Sequence, residues 1–377
     1  MYEVPNSIAA SAGYRQPVAT QTSKYDAANG FLGMEDLELV DGMFASQFSG
    51  LVRSAYSYAT WKQNRSVLRK ISRLQEEFGL DLCLPWCHKK TLNFMMASRE
   101  LGDAASTITT AVSRVRTLHK LMGMEAMVPT HWTSTLLKAM SIQDKTRVSM
   151  KRLPVTPEVM LTIKRKLSVS AFNEPRKRLV WLAATLLFNC SLRPGEIFTA
   201  TRSGFVPGST LLLSDIKLGS VVMDGKQVAT LLLTLRNTKE MRSGGCTVVE
   251  TFYSGKFFCA YTALEKYLRS TGRGLSEDEP LMWTGDGGYT NALFNADLRS
   301  LLHDVYDYSK EGVLGHSFRS GVATALARLG YSDSDIMEQG RWSSAAFLNY
   351  VKRGRATRLN KQYRIFQDLV MTASDWI

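Results

Sequence analysis

The sequence predicts a mainly helical protein with a small β-sheet, built as an all-α bundle followed by an α+β domain. Three observations carry that prediction. Apolar residues recur at helical spacing between Leu37 and Met140. Three apolar or β-branched runs, separated by turn residues, follow between residues 210 and 253. Helical spacing then returns and continues towards the C-terminus, without the regular strand–helix alternation of a parallel sheet.

Residues 1–35 are rich in Ser, Ala, Gly, Gln and Thr without sustained periodicity, and read as a flexible leader. Residues 36–140 form the helical domain. In "YATWKQNRSVLRKISRLQEEFG", Trp61, Val67, Leu68, Ile71, Leu74 and Phe78 gather near one face, and Gly79 is placed to end the helix. "STITTAVSRVRTLHKLMG" repeats the logic, with Ser106 as N-cap, Ile108, Val112, Val115, Leu118 and Leu121 inward, and Gly123 at the end. Between them, Cys83 and Cys87 in "CLPWCH" have half the spacing of a zinc site, but no second close pair follows, so the pair reads as core.

The segment 141–157 is polar and basic, contains Pro154 and Pro157, and reads as an extended linker. The second domain, 158–352, opens with a buried helix at 175–190. The runs "TLLLSDIKL", "VATLLLTLRN" and "CTVVETFY" are expected strands, the last two forming a hairpin with Lys239 in its loop. Helices are expected at 258–270, at 290–304, from Ser317 onwards, and again over "SSAAFLNYVK" with Ser343 as its cap. Residues 353–377 are a basic segment followed by an apolar end (Ile365, Phe366, Leu369, Val370).

Lys and Arg outnumber Asp and Glu by 47 to 34, giving a formal charge of +13. Such an excess attracts polyanions, with nucleic acid the first expectation. The longest apolar run, "LVWLAATLLF" at 179–188, is too short to span a bilayer, so no membrane partner is expected. Five scattered cysteines imply free thiols in a reducing compartment inside the cell. The basic clusters at 164–166 and 176–178 serve nuclear import in a eukaryotic host or phosphate contact equally well.

The chemistry concentrates in a few residues. In "FNCSLRPGEIF", Arg193 precedes Pro194 at a helix start, where an anion is favoured, and Glu196 one turn on is able to hold it. His316 and Arg319, three apart, open one helix, and "QGRW" turns the chain to bring in Trp342. Tyr350 follows at a spacing that, taken alone, belongs to a core. Taken together the residues specify phosphoryl transfer. Two arginines grip the non-bridging oxygens of a phosphodiester. A histidine and an indole N–H complete the cage around charge that grows at phosphorus. A tyrosine is a competent nucleophile, and a lysine on a loop can protonate a departing 5′-oxygen. No carboxylates cluster at a spacing for two metals, and no cofactor is called for.

The order Arg193 in "LRPGE", Lys239 in a β-hairpin, His316-x-x-Arg319, Trp342 and Tyr350 resembles that of the tyrosine recombinases, the phage-integrase-type family. The resemblance is clear over about 175–352 and looser over the bundle, which is similar to the family's core-binding domain. "GRWSS…Y" is most like the eukaryotic mobile-element, crypton-like branch. The resemblance implies an α+β recombinase catalytic domain acting on double-stranded DNA as a tetramer on two duplexes. Tyr350 would form a 3′-phosphotyrosyl link, Arg193, Arg319 and His316 would bind the phosphate, and Lys239 would act as general acid. Trp342 would stand where many relatives have a second histidine. Trp342 lies eight residues before Tyr350 rather than the usual nine, which leaves Arg341 as an alternative. The hairpin register leaves Lys226 as an alternative to Lys239. Two other functions fit the same residues: a non-catalytic DNA clamp, and a telomere resolvase or type IB topoisomerase-like strand transferase.

Overall fold

The structure is a computed structural model that describes residues 58–121, 123–125, 130–146, 150–205, 210–236, 246–344 and 347–348. The expected leader, Lys239, Tyr350, most of the helix expected over 343–352 and the segment 353–377 lie outside the described residues, as does the side chain of Trp61. The chain divides into two compact units, one ending at Val148 and the other beginning at Ser149.

The first unit is a bundle of helices α1 (Tyr58–Phe78), α2 (His88–Glu100), α3 (Ala105–Leu121) and α4 (His131–Asp144). Val67, Ile71 and Leu74 from α1 meet Phe94 and Met95 from α2 and Ile108, Val112, Val115 and Leu118 from α3. Phe78, expected on the same face, is 37% exposed because the helix runs past the core before Gly79 ends it at φ +63°. Ser106 is not the N-cap of α3, which begins one residue earlier. The N–H of Ala105 donates instead to the Asp144 carboxylate at 2.5 Å, and Asp144 also pairs with Arg99 at 2.6 Å. Cys83 and Cys87 are exposed rather than core. The chain before α2 is extended, so burial alternates: Leu82, Leu84 and Trp86 point in while Cys83 and Cys87 point out. His119 is absorbed in this core, accepting the Trp86 backbone N–H on Nε2 at 3.1 Å, which leaves Nδ1 to donate to the Glu125 carbonyl at 3.1 Å.

The second unit begins with strand β1 (Lys151–Arg152) and helix α5 (Pro157–Val169), with proline in its first turn. Part of the expected linker is therefore structured: α4 runs on to Asp144, and β1 pairs in parallel with a short strand at 311–312. Helix α6 (Glu174–Asn189) is the central element, with Leu179, Val180, Leu182, Ala183, Ala184, Leu186 and Leu187 all buried. Asn173 caps it by accepting the Arg176 N–H at 3.0 Å. A single turn, α7 (Pro194–Ile197), follows.

The three-stranded antiparallel sheet is ordered β2 (Ile216–Met223), β3 (Lys226–Leu235), β4 (Thr247–Phe252). "TLLLSDIKL" is not one strand. Leu213–Asp215 form a 3₁₀ turn, closed where the Asp215 carboxylate accepts the Leu212 N–H at 3.0 Å. β2 starts only at Ile216 and runs through the exposed "GSVV" that its weak alternation conceals. Asp224 and Gly225, at φ 49° and 72°, make the tight turn to β3. β3 and β4 form the expected antiparallel pair, with Leu235 opposite Thr247 at the Lys239 end.

Helices α8 (Ala260–Thr271), α9 (Asn291–Leu302), α10 (Gly315–Leu329) and α11 (Asp333–Gly340) complete the unit, with the short strands β5 (Trp283–Thr284), β6 (Gly287–Gly288) and β7 (Glu311–Gly312). β7 pairs with β1 in parallel. No helix among the described residues is long and apolar enough to cross a membrane.

One contact locks the segment after β1 against α10. The Val155 N–H donates to the Ser317 carbonyl at 2.9 Å, and a Cβ on Gly321 would lie 1.9 Å from the Val155 oxygen. Alanine stabilises an open helix position relative to glycine by up to about 1 kcal/mol. At Gly321 the clash reverses the sign, and Gly321→Ala is expected to lower the unfolding free energy by about 2 kcal/mol. Chemical denaturation of the two proteins checks it.

Candidate active site

Four of the six residues expected to carry the reaction, Arg193, His316, Arg319 and Trp342, lie within the described chain, on two turns and one helix of the second unit. Arg193 follows the end of α6. There Ser191 takes φ 46°, which reverses the chain, and Pro194 starts α7. Glu196, at the third position of that turn, accepts the Arg193 backbone N–H at 2.8 Å and its Nη1 at 3.0 Å. The carboxylate is 4% exposed, and it also receives Nη2 of Arg341 at 2.9 Å. One buried carboxylate thus holds two guanidinium groups, which fixes the rotamer of Arg193.

Arg319 is the buried centre of the cluster, 2% exposed in the second turn of α10. Nη1 donates to the Ser191 carbonyl and Nη2 to the Gly340 carbonyl. These acceptors come from the turn that bears Arg193 and from the end of α11, just before Arg341 and Trp342. The guanidinium lies over the Trp342 ring, 4.4 Å from its centroid. Trp342 packs against Phe347 at 6.1 Å between ring centroids. The close turn requires Gly340, whose Cβ would fall 1.7 Å from that indole. Arg341 takes φ 52° there.

His316, at the start of α10, is an exposed residue. The packing that still surrounds its ring comes first among the causes that hold it below the ordinary histidine value, followed by the cations Arg152, Arg319 and Arg193. Its ring is therefore predominantly neutral at pH 7 in the DNA-free protein. The same three cations show that His316 shares a field with Arg193 and Arg319, as the sequence reading expected. Arg152 is the addition. It lies on β1 opposite Gly312, and its only signal in the sequence was membership of a basic stretch.

The structure brings together Arg193, Glu196, His316, Arg319, Arg341 and Trp342. Lys239 and Tyr350 are outside the described residues, so their positions rest on sequence order alone. Lys226 begins β3 at the turn to β2, nine residues from Leu235 and thus roughly 30 Å along the strand. The opposite end of the hairpin is the one beside the cluster, since Val248, Val249 and Glu250 line a cavity shared with Cys190 and Arg341. Cys190 is buried, which pushes its thiol up to about 12 and keeps it neutral. The arrangement is a cationic pocket around a buried arginine, suited to a phosphate diester rather than to an acid–base pair of carboxylates.

No protein-family model matches the chain, and no curated protein matches it. Solved structures do. The Tn1549 transposon integrase in complex with transposon right-end DNA is 13% identical, covering 86% of this chain and 98% of that one, with a TM-score of 0.51. A lambda integrase dimer bound to a COC′ core site is 15% identical over 82% of this chain and 77% of that one, with a TM-score of 0.50. The XerH site-specific recombinase bound to difH, in a pre-cleavage complex, is 11% identical over 80% and 78%, with a TM-score of 0.50. At these identities the likeness is one of fold, and it extends over both units. The fold these structures share with the chain is mainly helical with an α+β second domain.

The field at His316 is open to direct measurement. An NMR titration of its ring in the DNA-free protein is expected to give a midpoint below 6.5. Arg152→Gln removes one neighbouring cation and is expected to move that midpoint upwards, towards the ordinary value. A midpoint that stays put or falls would separate Arg152 from the site.

Proposed function

We propose that the chain is a site-specific DNA recombinase of the tyrosine type, cutting and rejoining DNA through a 3′-phosphotyrosyl intermediate to mobilise or integrate a genetic element. The observation that carries this reading is the junction at Arg319. One buried guanidinium ties together the turn bearing Arg193, the helix bearing His316 and the turn bearing Trp342. The likeness in fold to integrases and a recombinase solved with transposon-end, core-site and difH DNA supports the same reading, as does the charge of +13. The run "GRWSS…Y", most like the eukaryotic mobile-element, crypton-like branch, supports a role in mobilising an element.

In this reaction the hydroxyl oxygen of Tyr350 attacks the scissile phosphorus, and the bond to the 5′-oxygen breaks as the tyrosyl bond forms. Arg193 and Arg319 hold the phosphate, with their positions set by Glu196 and by the two carbonyls. His316 hydrogen-bonds the phosphate, and its neutral ring is able to accept the proton that Tyr350 gives up. Lys239 gives a proton to the departing 5′-oxygen. A 5′-hydroxyl from a partner duplex then reverses the attack. The bond energy stays in the phosphotyrosyl link, so rejoining draws on no nucleotide hydrolysis. Trp342 acts through Arg319, on which its ring stacks. Four copies on two duplexes are the assembly that strand exchange requires.

Covalent trapping tests the reading. Nicked duplexes made from the DNA flanking the gene are mixed with the protein in EDTA and run on a denaturing gel. The wild-type chain is expected to form an adduct. Tyr350→Phe is expected to bind the same duplexes in a gel shift and form none. Strand cleavage by Tyr350→Phe would remove Tyr350 as nucleophile. Binding by the wild-type chain without any adduct would leave a non-catalytic DNA clamp in its place.

A further inference from the structure

We propose that Arg152 is a further catalytic residue, a third guanidinium that donates to a non-bridging oxygen of the scissile phosphate beside His316. The inference rests on the recombinase reading given above.

Backbone contacts carry Arg152 to His316. β1 lies parallel to β7 with Arg152 opposite Gly312, and neighbouring strands stand about 4.8 Å apart. The Leu153 N–H donates to the Gly312 carbonyl at 3.0 Å, and the Val155 N–H to the Ser317 carbonyl at 2.9 Å. Residues 152–155 therefore run alongside 312–317, the stretch that contains His316. The second contact closes on α10 itself, where the absence of a side chain at Gly321 leaves room for the Val155 carbonyl. Arg152 is thus fastened to the helix that presents both His316 and Arg319, although it lies far from them in sequence.

The other arginines of the cluster are engaged inside the protein. Arg193 and Arg341 share the Glu196 carboxylate, and Arg319 donates to two backbone carbonyls. Arg152 is exposed, and no carboxylate or carbonyl among the described residues accepts from its guanidinium. Its charge nevertheless reaches the site. Packing around the ring is the first cause that lowers the proton affinity of His316, and Arg152 is the next, ahead of Arg319 and Arg193. Charges at a surface act over about 10 Å in ordinary salt, so the guanidinium lies within that range of the imidazole.

This arrangement suits a phosphate. A guanidinium presents its donors in a planar fork that matches the oxygens of a phosphodiester. Negative charge is spread over the equatorial oxygens as the phosphoryl group transfers. His316, neutral in the DNA-free protein, gives that charge a hydrogen bond without a full cation. Arg152 supplies the cation beside it and breaks no internal bond to do so.

Methylphosphonate at the scissile position tests the contact, because a methyl group replaces one non-bridging oxygen and removes the charge that a guanidinium grips. Nicked duplexes carrying the site mapped by trapping are made with ordinary phosphate, with methylphosphonate at the scissile position, and with methylphosphonate one position to either side. Single-turnover adduct formation by the full chain, at saturating protein, is measured on each. On ordinary DNA, Arg152→Ala is expected to lose about thirtyfold, the effect of one charge-assisted bond. Arg152→Lys keeps the charge and is expected to recover part of that loss. On the scissile methylphosphonate, Arg152→Ala is expected to stay within about twofold of wild type. Lys151→Ala removes the same charge one residue earlier and is expected to stay within about twofold of wild type on ordinary DNA. Thermal unfolding shows that the variants are folded.

No loss in Arg152→Ala on ordinary DNA, or equal losses on ordinary and scissile-methylphosphonate duplexes, overturns the assignment. Relief only from methylphosphonate at a neighbouring position also overturns it, since Arg152 then holds another phosphate. A loss in Lys151→Ala equal to that in Arg152→Ala marks a diffuse field instead of a contact, with the same result. Failure of the recombinase reading looks different: the wild-type chain forms no adduct on ordinary DNA, and the role of Arg152 falls with it.

Discussion

The site depends on where the Arg319 guanidinium finds its acceptors. Buried and permanently charged, it must satisfy its donors inside the protein, and it does so partly on the carbonyls of Ser191 and Gly340. Those two carbonyls belong to turns separated widely in sequence, each containing a residue at positive φ, Ser191 and Arg341. The arginine thereby sets the distance between the end of α6 and the end of α11. It also provides the cation on which Trp342 stacks. Any movement of one turn is felt by the other through this group.

Glu196 works against the repulsion such a cluster creates. Arg193, Arg319, Arg341 and Arg152 would drive one another apart if left unbalanced. The buried carboxylate takes Arg193 and Arg341 together, and the cluster retains an excess of positive charge. The lowered affinity of His316 for a proton comes first from the packing around its ring and then from that excess. Similar logic applies at Asp215 and Arg236, where a buried acid holds a half-exposed base at the end of β3.

Much of this was legible in the sequence, for identifiable reasons. The inward faces of α1 and α3 were, because helices half-covered by a core must repeat their apolar residues. Arg193 with Glu196 was, because a capping pair lies within one turn of chain. His316 and Arg319 share a helix start for the same reason. The role of Arg319 as a scaffold was hidden, since backbone carbonyls carry no sequence signature. Arg152 was hidden because a two-residue strand has no periodicity, and its partner strand lies far along the chain. The division between the units falls inside the expected linker, but its extended reading gave way at 141–144 and 151–152 on the same ground: polar composition marks exposure, which short paired strands and helix ends share with coil. The first expected strand failed because Asp215 closes a turn within an apolar run, a contact made by one side chain.

The central claim, that this cationic cluster holds a phosphodiester as it becomes five-coordinate, has a direct structural test. Orthovanadate adopts that geometry and can be crystallised with the protein and a duplex gapped at its cleavage site. The account predicts vanadate bonded to the Tyr350 oxygen and hydrogen-bonded by Arg193 and His316, with Arg319 still bound to Ser191 and Gly340. Vanadate lodged away from this cluster, or an intact complex with the cluster empty, would contradict it.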